Sequence, residues 1–77
     1  DEKEAIALLQ ESASRGDLDA QLFLARYSLN ILKNPEKAFY WFGKLADRGN
    51  LAAQLYVAGS YRFGFGVKKN EQKERQF

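Results

Sequence analysis

The sequence predicts an all-α chain, an α-solenoid built from antiparallel helix pairs. Three observations predict it: an internal repeat of 33 residues, apolar side chains at three-and-four spacing, and turn chemistry that opens and closes each helix. Sliding the sequence against itself by 33 places lays Arg15-Gly16-Asp17-Leu18-Asp19-Ala20-Gln21-Leu22-Phe23-Leu24-Ala25 over Arg48-Gly49-Asn50-Leu51-Ala52-Ala53-Gln54-Leu55-Tyr56-Val57-Ala58, with seven identical pairs. The match runs backward through residues 4–9 over 37–42. Asn34-Pro35-Glu36-Lys37 then lies over Asn70-Glu71-Gln72-Lys73 at an offset of 36, so the second copy has three extra residues in its loop.

The first helix is expected over 3–14, where Ala5, Ile6, Leu8, Leu9 and Ala13 follow the spacing of a helix packed on one side. Gly16 stops it in the left-handed position a C-terminal cap needs, and Arg15 before it suits the negative end of the helix dipole. Asp17 caps a second helix over 18–31, with Ala20, Leu22, Leu24, Ala25 and Ser28 on its packing side. Asn34 followed by Pro35 starts a third helix over 35–47, because proline at the first helical position gives up only an N–H that would be orphaned anyway. Its face repeats the first with larger side chains: Ala38, Phe39, Trp41, Phe42, Leu45 and Ala46. Arg48-Gly49-Asn50 repeats the stop and start, and a fourth helix follows over 51–63 with Ala53, Leu55, Val57, Ala58 and Tyr61 inward. Small residues at Ala20, Ala25, Ala53 and Ala58 allow close approach of neighbouring helices. A last short helix is expected from about residue 70. Loops of two to six residues make neighbours antiparallel.

Composition agrees with an ordered chain of one domain: 45% hydrophobic, 14% aromatic and a single proline in 77 residues. The sequence contains neither a run of about 18 apolar residues nor a charged-then-apolar leader, so no membrane span and no signal peptide is expected within it. It opens at Asp1 inside a helical pattern and stops at Phe77 as another begins, which reads as a piece of a longer chain. The net charge of +2 is uneven, with five basic and seven acidic residues over 1–38 against seven basic and three acidic over 39–77. Lys68, Lys69, Lys73 and Arg75 could favour acidic partners, but at this density a solvated helix entrance is the favoured reading.

The residues present argue against catalysis. The sequence has no histidine and no cysteine, which removes the commonest general base, the commonest nucleophile pair, disulfides and most transition-metal ligands. No catalytic residue, metal site or cofactor is expected. Asp17 and Asp19 sit where acidic side chains complement a helix N-terminus. Gly64-Phe65-Gly66-Val67 follows a helix rather than a strand and lacks the lysine-serine ending of a phosphate loop, so it reads as a turn.

These residues resemble the Sel-one-like repeat, a relative of the tetratricopeptide repeat. The family pattern A-x-A-Q-x-x-L-G-x-x-Y-x-x-G-x-G-V is matched best by Ala53-Gln54, Val57, Ala58, Tyr61, Gly64 and Gly66-Val67. Its continuation, K-A-x-x-W-[YF]-x-K-A-A-x-x-G, is matched by Lys37-Ala38, Trp41-Phe42, Lys44, Ala46 and Gly49. The resemblance implies right-handed superhelical stacking of about two units in a single repeat domain over 1–77. Residues 1–16 would be the second helix of a preceding unit, 17–49 one unit, and 50–77 a unit truncated at its C-terminus. The departures are Ser28 where the pattern has tyrosine, Leu8 where it has tryptophan, Glu74 in place of a small alanine, and Asn30-Ile31-Leu32-Lys33 in place of the first glycine loop. That first loop is expected to be tighter.

The resemblance also implies use as an adaptor or scaffold, in cell-envelope, secretion, regulatory or degradation assemblies. A soluble chain of the bacterial cytoplasm or periplasm would fit such use. Geometry gives the same direction, because stacked helix pairs form a curved surface whose concave side offers a long groove for a protein or peptide. Positions the pattern leaves free are Phe23, Arg26, Tyr27 and Asn30 in one unit and Tyr56, Gly59, Ser60 and Phe63 in the next, and their side chains are the candidates. Phe23, Tyr27 and Asn30 share a helix face, as do Tyr56, Ser60 and Phe63. Packing against neighbouring repeats is the alternative use of these side chains. Self-association through exposed repeat ends is a further expectation. Nucleic-acid or acidic-partner binding through the basic C-terminal half is the alternative function, and it would need Arg26, Arg62, Lys68 and Lys69 on one surface.

Overall fold

The computed structural model describes residues 1–67, and four helices of equal length account for most of them. They are α1 (Glu2–Ser14), α2 (Leu18–Asn30), α3 (Pro35–Asp47) and α4 (Leu51–Phe63). The short helix expected from residue 70, and the lysines and arginine at 68, 69, 73 and 75, lie outside the described residues.

Capping side chains set the starts. Asp17, Asn34 and Asn50 each accept a hydrogen bond from the backbone N–H three residues on, at 3.1, 3.1 and 2.9 Å, satisfying one orphan donor of the helix that follows. The Arg-Gly pairs end α1 and α3 in the same way. Gly16 (φ +101°) sends its N–H to the Ala13 carbonyl at 3.0 Å while Asp17 donates to Ser12 at 3.1 Å. Gly49 (φ +90°) and Asn50 repeat both bonds on Ala46 and Leu45. This paired closure leaves Asp17 and Asn50 serving the end of one helix and the start of the next.

One further residue secures each junction. Gln21, from the first turns of α2, donates from Nε2 to the Ala13 carbonyl at 2.9 Å, and Gln54 does the same to Ala46 at 3.2 Å. Two donors thus converge on each of these carbonyls. The glutamine common to both copies of the repeat is explained by this bond.

Helix backbones approach one another only between consecutive helices, α1 with α2, α2 with α3 and α3 with α4. The result is a row rather than a bundle, 41 × 24 × 15 Å in extent. Alanine provides six of the eleven buried hydrophobic residues among those described (Ala13, Ala20, Ala25, Ala38, Ala46 and Ala53), which lets the helices close on each other. Leu24, Trp41, Phe42, Leu45 and Val57 fill the remainder. No helix among the described residues is long and apolar enough to cross a membrane.

Three positions expected on the packing side, Ala5, Leu8 and Leu55, are open instead. Leu8 is 65% exposed where its repeat equivalent Trp41 is 9% exposed, and Leu55 is 64% exposed where Leu22 is half-buried. The sequence pattern is the same in each pair, but the neighbour differs: α3 has α2 before it and α2 has α3 after it, whereas α1 and α4 stand at the ends of the described row.

The loop after α2 is the tight one. Ile31 and Leu32 both donate to the Tyr27 carbonyl, at 2.9 and 3.0 Å, and Asn34 donates to Ser28 at 2.8 Å. Closing the turn forces Lys33 to φ +54°, a left-handed conformation that crowds its Cβ. Lys33→Gly should therefore raise stability by about 0.5–1 kcal/mol, the relieved strain exceeding the greater freedom of glycine in the unfolded chain. Urea unfolding followed by circular dichroism checks this, with a drop in the midpoint as the contrary result.

Candidate partner-binding grooves on the repeat face

The loop after α4 takes a different course and shapes the second of two grooves. Gly64 closes α4 in the left-handed region (φ +69°), and its neighbour Phe65 donates its N–H to Ser60 at 2.9 Å. Gly66 (φ +84°) then lies flat against the start of α3: a Cβ there would stand 2.4 Å from the Pro35 carbonyl oxygen. Held between these two glycines, the Phe65 ring meets Tyr56 edge-on at 6.4 Å.

Each repeat copy carries an apolar groove, and these two fall at equivalent positions. The first, about 420 Å³, is lined on α2 by Leu22, Phe23, Arg26, Tyr27 and Asn30, with Asp19 and Ile31 at its ends. The second, about 390 Å³, is lined on α4 by Leu55, Tyr56, Gly59, Ser60 and Phe63, with Phe65 closing one side. Shifting the first set by 33 residues gives the five α4 positions in order. All seven candidate side chains named from sequence border one groove or the other.

They differ in how free they are. Phe23 is 47% exposed and stacks on Tyr27 with ring centroids 6.0 Å apart, and Phe63 is 75% exposed. Arg26 and Asn30 are also exposed. Tyr27 is tied down at its tip, because its hydroxyl donates to Glu2 Oε1 at 3.0 Å across the α1–α2 boundary. That bond to a carboxylate is the main reason the Tyr27 phenol titrates above its ordinary 10.0, since losing the proton would set two negative charges together.

Tyr56 and Ser60 belong to the groove floor. The Tyr56 ring leans on Phe42 at 4.2 Å, so it has a core duty that sequence spacing did not reveal. Ser60 is 2% exposed, and neither its hydroxyl nor that of Tyr56 completes a hydrogen bond. Burial raises the Tyr56 pKa, and the nearby Ser60 hydroxyl offsets part of the rise by favouring the phenolate.

Leu22, Leu55, Ile31, Phe65 and Asp19 border the grooves without having been singled out as site residues. Phe65 was the most legible of them, since an aromatic side chain between two glycines in a turn is aimed by the backbone on both sides. Charge separates the grooves. Asp19 and Arg26 are in the first, neither with a salt-bridge partner among the described residues, whereas Gly59 replaces the arginine in the second and no charged residue lines it. Of the other cations named for a nucleic-acid surface, Arg62 lies over the Phe63 ring at 5.4 Å on α4, and Lys68 and Lys69 are outside the described residues.

Comparison with known proteins bears on this arrangement as a whole. The family model described as Sel1 repeat matches residues 1–17, 18–50 and 51–73, nearly the full sequence. A search of curated proteins found no match to the chain. The three matched stretches divide after Asp17 and Asn50, the residues that cap α2 and α4.

Proposed function

Because the chain belongs to the Sel1 repeat family, whose repeats mediate protein–protein interaction, we propose that it is a non-catalytic scaffold module that binds a protein or peptide along the face formed by α2 and α4. The observation that carries this reading is the recurrence of one apolar groove, at equivalent positions, in both copies of the repeat. Two like grooves one repeat apart suit an extended partner with two apolar anchors. Exposed aromatic rings at Phe23 and Phe63 would serve as the contacts, with Tyr56 and Ser60 forming a floor that is already in place.

The test follows from that division of labour. Phe23→Ala combined with Phe63→Ala removes exposed rings and should leave the helical circular dichroism spectrum unchanged. Retention of partner from a lysate of the source cell should fall about 30-fold or more, as expected where the two rings together contribute at least about 2 kcal/mol. Equal retention by the folded double variant would exclude the groove face.

A further inference from the structure

Arg26 is the cation of the α2 groove that no side chain among the described residues answers, and its surroundings are apolar: Phe23 three residues before it, Tyr27 beside it and Leu22 on the same lining. An arginine at the edge of an apolar surface offers a planar fork of donors that matches a carboxylate, and less water competes for it there than on an open surface. Asp19 sits in the same groove seven residues earlier, roughly 10 Å along the helix at 1.5 Å per residue. That places the two charges on either side of Leu22 and Phe23. An extended peptide covers the distance in about three residues.

Resting on the groove reading above, we propose that the α2 groove selects a peptide segment with an acidic residue beside a bulky apolar one, its carboxylate meeting Arg26 and its apolar side chain lying on Phe23 and Leu22. Asp19 repels a second acid on the far side of Leu22 and Phe23, so the segment is acidic on one side of its anchor only and lies in a single direction. The α4 groove has glycine in place of the arginine and accepts an apolar anchor without regard to charge. Single-stranded nucleic acid is the poorer fit, because it needs cations repeated along its path and this groove holds one cation and one acid.

The experiment is selection from a displayed library of random peptides on the wild-type chain and on Arg26→Gln, Arg26→Glu and Phe23→Ala/Phe63→Ala, each first shown to be helical. Wild type should enrich sequences pairing an aromatic or aliphatic residue with Asp or Glu. Arg26→Gln should bind the enriched peptides roughly two- to fivefold more weakly, as for the loss of an exposed ion pair, and Arg26→Glu should turn the preference towards Lys and Arg. Enrichment without a charge preference, or with one that Arg26→Glu leaves intact, would overturn the inference while sparing the groove. Peptides that bind Phe23→Ala/Phe63→Ala undiminished, or no enrichment at all, would overturn both readings. Displacement of the enriched peptides by a single-stranded oligonucleotide, fading steeply with salt, would replace the peptide by nucleic acid as the occupant.

Discussion

Trp41→Ala is expected to cost about 3–5 kcal/mol, close to the whole stability of a chain this short. Trp41 is the largest side chain in the core, 9% exposed, with Tyr40 edge-on to it at 4.9 Å. Truncation would leave a void between helices whose other contacts are largely alanine, and alanines cannot reach across to fill it. The repeat supplies its own control. Leu8 occupies the same position of the pattern but is 65% exposed, so Leu8→Ala should stay within about 0.5 kcal/mol of wild type. Urea titration followed by circular dichroism measures both variants. Similar midpoints for the two would mean that Trp41 does not do the packing assigned to it.

Gly66→Ala is expected to destabilise by about 2–3 kcal/mol, for two reasons that act at one atom. The backbone at φ +84° disfavours any L side chain, and the added Cβ would meet backbone on its far side, 2.4 Å from the Pro35 oxygen and 2.8 Å from its carbonyl carbon. A flexible side chain could swing away from such a contact, but the first turn of α3 cannot. The loop would lift off α3, and Phe65 would leave Tyr56 and open the side of the α4 groove. Hydrogen exchange should quicken at the Phe65 amide, now bonded to Ser60, before it quickens in α2. Gly43→Ala makes the opposite case. Gly43 lies within α3 with nothing within 4 Å of the new methyl, so that substitution should stabilise by about 0.5–1 kcal/mol. If both substitutions shift the urea midpoint in the same direction, the docking of Gly66 on Pro35 is wrong.

The helices could be read from the sequence almost to the residue because their ends are written in local chemistry. Asp17, Asn34-Pro35 and Asn50 start them, Gly16 and Gly49 stop them, and none of these signals depends on what packs alongside. Side-chain exposure was less legible. Leu22 and Leu55 are identical residues at identical repeat positions, yet one is half-buried and the other 64% exposed, since burial belongs to the neighbour and the neighbour is not in the local sequence. Tyr56 shows the same limit from the other direction. Its spacing from Ser60 and Phe63 indicated a shared face correctly, but only the position of Phe42 on the adjoining helix shows that the ring points down into the floor of that face. The bond from Gln21 to Ala13 was hidden for a related reason, because it joins residues eight apart across a helix junction, where no helical periodicity operates.

That junction has a bearing on how such a chain can vary in length. Asp17 and Asn50 each finish one helix and begin another, and Gln21 and Gln54 reach back over the join to the same carbonyl position. Because backbones meet only between consecutive helices, a segment of 33 residues could be removed or duplicated between two such joins and every new boundary would find the partners it had before. Inheritance can therefore treat the unit as a countable part. The reach of the binding face would then change in whole steps, one groove at a time, without any residue inside a unit having to change with it.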